Sequence, residues 1–123
     1  MSGDSPAALG FPRSSRLKQQ GEFARARAQG RRLMCGCLIA NVLPRPGRLT
    51  PRLGVVTGKK VGNAVARNRA RRLMRECFRL HQHELNGPVD LVLVARPSIA
   101  GKKLADVERD FLRVLRQARI GGQ

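Results

Sequence analysis

The chain has 123 residues, which is enough for one hydrophobic core and too few for two. Its 25 Lys and Arg residues outnumber 8 Asp and Glu, giving a net charge of +17 and a pI near 11.8; this balance indicates nucleic acid first and an anionic membrane surface second. No apolar run reaches the roughly 20 residues of a membrane span, and the N-terminus lacks signal-peptide features. Three cysteines, an odd number, disfavour a disulfide framework. We therefore expect a cytoplasmic protein.

The first half of the chain predicts one helix and two strands. Residues 1–13 are rich in Ser, Gly, Pro and Ala and are expected to form a flexible lead. A helix is predicted over about 15–30, followed by strands at 37–43 and 52–57. A proline-rich loop joins the two strands, and we expect them to pair antiparallel.

Residues 58–62 form a glycine-flanked basic loop, and Asn63 is a suitable N-cap for the helix that follows. At about 100° per residue, this helix should run to about residue 83 with one apolar side. That side holds Ala66, Ala70, Leu73, Cys77 and Leu80, with Met74 at its margin. The opposite side holds Asn68, Arg71, Arg72, Arg75 and Arg79. The pattern predicts a folded basic helix that binds a polyanion.

The remaining elements complete a small sandwich. Residues 89–95 are almost continuously apolar and predict a buried central strand, and 104–118 show the apolar spacing of a terminal helix. The order helix-strand-strand-helix-strand-helix predicts the α+β class, with helices packed against one sheet in a single domain over 14–119 and a short tail at 120–123.

The candidate catalytic motifs are weak. The glycine-rich loop lacks the spacing of a nucleotide-binding P-loop, although Lys59 and Lys60 at a helix N-terminus could hold an anion. Cys35, Cys37, Cys77 and His81 could in principle bind zinc, but Cys35 and Cys37 are spaced too closely for a zinc motif. Cys37 and Cys77 also occupy positions where core residues are expected. The eight acids are scattered, so we predict no catalytic residue and no metal site in this chain.

The basic segment resembles a known signature. The run Lys59-Lys60-Val61-Gly62-Asn63-Ala64-Val65-x-Arg67-Asn68-Arg69-x-Arg71-Arg72-x-x-Arg75-Glu76 is similar to that of the bacterial ribonuclease P protein subunit, with its Arg-Asn-Arg core. The resemblance extends from about residue 14 to residue 118. It implies a two-layer α-β sandwich like the second domain of a small-subunit ribosomal protein, with a left-handed crossover through the basic helix.

The resemblance also implies a function. The protein would bind the catalytic RNA subunit and the 5′ leader of precursor tRNA, and assist endonucleolytic removal of that leader. Mg²⁺ would be held by the RNA subunit and the substrate, and neither a membrane nor an obligate protein partner is expected. Positions matching the RNA-subunit contacts are Lys59, Lys60, Asn63, Arg67, Asn68, Arg69, Arg71, Arg72 and Arg75. Positions matching the leader cleft, between the first helix and the sheet, are Phe23, Arg27, Asn41, Arg52 and Val55.

Two departures and two alternatives accompany this interpretation. Many family members carry aromatic residues where this chain has Arg27 and Asn41, so we expect the cleft to read backbone charge more than bases. A ribosomal or RNA-chaperone protein could share the same sandwich. A DNA-binding protein could place the basic helix in a major groove, but that use needs a second helix close before it.

Overall fold

The structure is a computed structural model, and it describes residues 16–17, 20–47, 50–85 and 87–118. Within these ranges it contains three α-helices, α1 (Gln20–Gln29), α2 (Ala64–His81) and α3 (Leu104–Ala118). It contains four strands, β1 (Arg31–Cys35), β2 (Leu38–Pro44), β3 (Arg52–Val56) and β4 (Val89–Ala95). The predicted lead (1–13) and tail (120–123) lie outside the described residues. Within the described ranges, no helix is long and apolar enough to cross a membrane.

The four strands form one mixed sheet in the order β1-β2-β4-β3. β1 pairs antiparallel with β2, β2 antiparallel with β4, and β3 parallel with β4. The predicted pairing of the strands at 37–43 and 52–57 is therefore wrong, because β4 lies between them and hydrogen-bonds to both. β1 is an additional strand that the sequence reading missed. The predicted central position and burial of β4 are confirmed.

Strand alternation gives the sheet two apolar faces. One face packs against α2 and α3 and holds the main core, which includes Phe78, Phe111, Met74, Leu53 and Leu91. The other face packs against α1 in a smaller cluster of Leu17, Ala26 and Val92, bordered by Phe23, Leu43, Val56 and Val94. The α+β class is confirmed, and the layer description gains one amendment: helices cover both faces of the sheet.

The basic helix α2 begins and ends at defined contacts. Asn63 Oδ1 accepts a hydrogen bond from the Ala66 backbone N–H at 3.0 Å, which confirms the predicted N-cap. At the other end, His81 lies between two carboxylates, Nδ1 at 2.6 Å from Glu84 and Nε2 at 2.6 Å from Glu108. Since Glu108 belongs to α3, this contact joins the end of α2 to the neighbouring helix.

The apolar side of α2 is centred differently from the prediction. Its buried residues are Ala70, Met74, Cys77 and Phe78, with the spacing i, i+4, i+7 and i+8. Leu73 and Leu80 are only half-buried. The large Phe78 ring is completely buried, which gains more than burying smaller side chains would. The helix is therefore rotated so that Phe78 faces the core, and the predicted apolar side is no longer at the centre of the buried face.

Candidate nucleic-acid interface

A short loop with a 3₁₀ turn leads from β3 into α2. Its 3₁₀ turn, Lys59–Val61, is anchored by the buried side chain of Val61 and leaves Lys59 and Lys60 exposed. Gly62 has φ 143°, a conformation that L side chains rarely adopt, and its N–H donates to the Lys59 carbonyl at 3.1 Å. The turn thus presents two ammonium groups at the start of a capped helix, where the helix dipole also favours anions.

The first flank of α2 faces β3 and the chain segment at Arg16. Arg71 is half-buried, and its Nη1 donates to Thr57 Oγ1 at 2.6 Å while Nη2 donates to Asn68 Oδ1. Arg75 follows one helical turn later. Partial desolvation lowers the pKa of Arg75, and the positive charges of Arg16 and Arg71 lower it further. The guanidinium groups on this flank are therefore close enough to repel one another.

The second flank of α2 faces the start of α3. Arg69 and Arg72 line a groove of about 200 Å³ together with Leu73, Glu76 and Leu104. Glu76 is hydrogen-bonded to Arg79, and this bond lowers the pKa of the Glu76 carboxyl. The one acid in the segment from Lys59 to Arg79 is thus engaged by an arginine of its own helix.

All nine residues predicted to contact an RNA subunit lie on the loop and the first three turns of α2. The exposed ones are Lys59, Lys60, Asn63, Asn68, Arg69, Arg72 and Arg75, and the half-buried ones are Arg67 and Arg71. Seven of the nine are cationic, and no acid occurs between Lys59 and Arg75. β3, and not a helix, precedes this loop, so the arrangement is not that of a helix-turn-helix.

A second concave surface lies between α1 and the sheet. This groove of about 560 Å³ has an apolar floor and cationic walls, and its lining residues are Arg27, Val56, Gly58, Lys59, Lys60, Val61, Val94, Ala95 and Pro97. Arg27 is exposed at its edge. No aromatic ring is among the lining residues, so contacts to a bound strand would come from cations and small apolar side chains.

The other residues predicted at this cleft have different surroundings. Phe23 is half-buried and lies over Gly54, so close that a Cβ on Gly54 would be 2.5 Å from Phe23 Cε1. Arg52 is held by Glu22 through an Nη2–Oε1 contact of 2.7 Å. Asn41 is 4% exposed and therefore buried in the sheet. Phe23, Arg52 and Asn41 thus contact other residues of the domain and are only partly exposed or buried at the cleft.

The placement of Val55 at the cleft is wrong. Val55 packs against the main core on the α2 and α3 side of the sheet. Its neighbour Val56 belongs to the opposite face and lines the groove beside Arg27. Because side chains alternate along a strand, only one of these two valines can face α1.

The acids of the described residues all have bonding partners. Glu22 bonds Arg52 and Glu76 bonds Arg79; Glu84 and Glu108 bond His81; Asp90 bonds Arg45; Asp106 bonds Arg109; Asp110 bonds the Cys37 backbone N–H. Within the described residues, no group of three or more His, Cys, Asp or Glu side chains could hold a metal ion. The carboxylates of this part of the chain serve the fold.

The three cysteines are free and buried. Desolvation by burial raises the pKa of Cys37 and of Cys77 to about 12 in each case. Burial likewise raises the pKa of Cys35. Such thiols stay protonated at neutral pH and pack as small apolar groups, which agrees with the core positions that the sequence indicated for Cys37 and Cys77.

Sequence reasoning missed Arg16 as a member of this surface. The extended pair Arg16-Leu17 lies beside β3, where Arg16 bridges to Leu53 and the Leu17 N–H donates to the Leu53 carbonyl at 2.9 Å. The sequence feature that could have indicated this is a cation followed by an apolar residue just before α1, since such alternation is typical of a short half-buried strand.

The fold and the site together define a small α+β domain that presents a capped, cationic helix. A sequence model of the family described as Ribonuclease P matches residues 11–119 of the chain. The chain belongs to the ribonuclease P protein family.

Individual relatives agree with this assignment. The ribonuclease P protein component of Gluconacetobacter diazotrophicus is 41% identical over 112 residues, covering 89% of this chain and 96% of the relative. That of Ligilactobacillus salivarius is 32% identical over 111 residues, covering 90% and 98%. The solved RNase P protein of Staphylococcus aureus has a TM-score of 0.80 at 25% identity, over 88% of this chain and 98% of that one. The Thermotoga maritima protein has a TM-score of 0.75 at 26% identity, over 87% and 98%.

Proposed function

We propose that the chain is the protein subunit of a ribonuclease P holoenzyme, an endoribonuclease that removes 5′ leaders from precursor tRNA. It binds the catalytic RNA through the loop at 58–62 and α2, and it binds the leader in the groove between α1 and the sheet. The observation that carries the proposal is the uninterrupted cationic surface from Lys59 to Arg75 on a family member, with seven cations and no acid. The buried thiols fit a reducing compartment, the cytoplasm.

The division of labour follows from the side chains. The described carboxylates are bonded to cations, to His81 or to a backbone amide, which supports a catalytic Mg²⁺ held by the RNA and the substrate. The protein contributes position and charge. Arginine forks hold phosphates bidentately, and each neutralised phosphate releases counterions, so affinity should fall steeply with added salt.

The leader groove works without base stacking in this chain. Its floor is formed by aliphatic residues such as Val56 and Val94, and its charged groups are Arg27, Lys59 and Lys60. Cations hold the phosphates of a single strand whatever its sequence, whereas aromatic rings would favour particular bases. The groove therefore selects for the presence and length of a leader more than for its sequence.

The central experiment is reconstitution with a bacterial ribonuclease P RNA at low Mg²⁺. The RNA alone, the protein alone and the mixture are compared for cleavage of a precursor tRNA. We expect the protein to raise the rate or the substrate affinity of the RNA, and the protein alone to cleave nothing. Equal binding to unrelated RNAs with no faster cleavage would instead support a general RNA-binding protein.

Variants separate the two surfaces. Arg67→Ala combined with Arg71→Ala should weaken binding of the RNA subunit and reduce the log–log salt slope by about one unit per lost phosphate contact. Arg27→Ala should weaken the binding of precursor tRNAs with long leaders more than the binding of those with short leaders. Arg116→Ala removes an exposed cation from α3 and serves as the control. A salt slope unchanged in the double variant would mean that these arginines do not contact phosphate.

A further inference from the structure

A cavity that the preceding interpretation does not use lies at one end of the sheet, beside the start of α3. The turn between β1 and β2 lies at this end, because Leu38 pairs with Ala95, the last residue of β4. β3 ends there too, since Val56 pairs with Val94. This sheet-end cavity has a volume of about 390 Å³, and its lining includes three cations, a hydroxyl and two acids: Lys102, Arg109, Arg113, Ser98, Asp106 and Asp110.

The wall of the sheet-end cavity is held by contacts between three elements. Asp110 Oδ2, from α3, accepts a hydrogen bond from the Cys37 backbone N–H at 3.0 Å. Arg96, directly after β4, donates from Nη1 to the Gly36 carbonyl at 2.9 Å. Gly36 has φ 59°, and a Cβ at this position would overlap the Asp110 carboxylate, so the turn lies directly against α3. The cavity is therefore part of the packed fold.

The acids of the sheet-end cavity are engaged, whereas its cations are exposed. Asp106 accepts hydrogen bonds from the Lys103 backbone N–H at 3.0 Å and from Arg109 Nη2 at 2.7 Å. Arg113 Nη1 is 3.9 Å from Asp110 Oδ1, which is longer than a hydrogen bond. Since Lys102 and Arg113 are both exposed, their charged groups can reach a further anion.

The sheet-end cavity adjoins the groove beside α1. Pro97 lines that groove and the next residue, Ser98, lines the cavity, so the 3₁₀ turn Pro97–Ile99 is their common wall. The same turn contacts the 3₁₀ turn that carries Lys59 and Lys60. A polyanion that lies in the groove therefore meets a second set of cations once it crosses this short turn.

We propose that Lys102, Arg113 and Ser98 bind a phosphodiester group of a single RNA strand that leaves the groove beside α1 across Pro97. An ammonium, a guanidinium fork and a hydroxyl all donate to phosphate oxygens and read no base, which suits a strand of any sequence. That this strand is the 5′ leader of a precursor tRNA rests on the proposed function, whereas the binding of single-stranded RNA does not. The site adds contacts for nucleotides beyond those that the groove itself holds.

The first test uses the free, full-length protein and uridine oligonucleotides of increasing length, with affinity measured at several salt concentrations. We expect Lys102→Ala and Arg113→Ala to weaken the binding of long strands, and to reduce the log–log salt slope by about 0.7 per lost phosphate contact. Binding of strands just long enough to fill the groove should not change. Ser98→Asp should also weaken the binding of long strands, because it adds a negative charge without removing an ion pair.

Arg116→Ala is the matched control, because Arg116 is an exposed cation of the same helix that does not line the cavity. It should bind long strands as the wild type does. All the substituted side chains are exposed, so urea midpoints should stay close to that of the wild type. If Lys102→Ala, Arg113→Ala and Ser98→Asp bind long strands as tightly as the wild type, or if Arg116→Ala loses as much affinity as they do, the proposed site is wrong.

The second test uses the reconstituted holoenzyme and precursor tRNAs with long and short leaders. Lys102→Ala should raise KM for the long leader and leave KM for the short leader unchanged. If the protein does not accelerate the ribonuclease P RNA but Lys102→Ala still weakens the binding of long oligonucleotides, the proposed function is wrong and the sheet-end site stands. If cleavage is accelerated and the variants show no loss that depends on strand length, the sheet-end site is wrong and the proposed function stands.

Discussion

Gly54 offers a sharp test of how α1 sits on the sheet. A Cβ built on Gly54 would lie 2.5 Å from Phe23 Cε1 and 2.6 Å from Cζ. Ordinary carbon–carbon contacts are about 3.5–4.0 Å, so in Gly54→Ala the ring must move by about 1 Å. The ring cannot move freely, because Phe23 packs against the cluster of Leu17, Ala26 and Val92.

The magnitude follows from two opposing effects. Overpacking of this kind costs about 1–3 kcal/mol. Alanine also lowers the conformational entropy of the unfolded chain, which stabilises by about 0.4–1 kcal/mol where the native backbone accepts it. The backbone at Gly54 is not in the left-handed region, so that gain applies. We therefore expect Gly54→Ala to lower the free energy of unfolding by about 0.5–2 kcal/mol.

The assay is urea unfolding followed by far-UV circular dichroism, since the chain has no Trp or Tyr for fluorescence. Gly58→Ala is the matched control, because nothing lies within 4 Å of a Cβ at Gly58, and its stability should stay equal or rise. In a Phe23→Leu background, Gly54→Ala should cost about 1 kcal/mol less than in the wild type. If Gly54→Ala is as stable as the wild type, or costs the same in both backgrounds, the Phe23 ring does not lie over Gly54.

Three further predictions use the same preparations. Burial opposes protonation of His81, but the bonds to its two carboxylate partners outweigh burial and raise the pKa of His81 above 6.5. The contribution of His81 to stability is therefore complete below pH 6.5 and is lost as pH rises through the raised pKa. His81→Gln should abolish this decline in urea midpoints, and equal declines in His81→Gln and in the exposed control His83→Gln would contradict the prediction. Asn63→Ala should cost about 1 kcal/mol of unfolding free energy through loss of the N-cap and Asn63→Asp should not, whereas equal losses would show that the cap is not the cause. Cys37 and Cys77, with pKa values of about 12, should react with a thiol reagent only as the chain unfolds, and fast modification of the native protein would refute their burial.

The elements with strong periodicity could be predicted from the sequence. The basic helix, its Asn63 cap, the apolar strand β4 and the terminal helix α3 all appear where the pattern placed them. β1 was missed because it begins with Arg31 and Arg32, and as an edge strand it shows neither alternation nor a long apolar run. No Ser, Thr, Asp or Asn stands directly before α3 to mark its start. Instead, Asp106 in the first turn accepts a hydrogen bond from the Lys103 backbone N–H at 3.0 Å.

What the sequence could not provide was long-range geometry. Consecutive strands are usually neighbours, so β2 and β3 were expected to pair, and nothing local shows that β4 enters between them. The run Val55-Val56 has no polar residue to mark which side faces the core, so the wrong valine was placed in the cleft. Arg16 lies beside Leu53 of β3 although more than 30 residues of chain separate them, and no spacing rule reaches that far.

The position of β4 has a consequence for synthesis on the ribosome. β4 is the last of the described strands and hydrogen-bonds to both β2 and β3, so this sheet cannot close until residue 95 is available. The cationic helix α2 is synthesised before β4, at a time when the complete sheet on which Met74 and Phe78 pack does not yet exist. Closure through contacts so distant in sequence is slow. A nascent chain halted before β4 therefore exposes an arginine-rich amphipathic segment with no core, and correct folding depends on completing the final third of the chain.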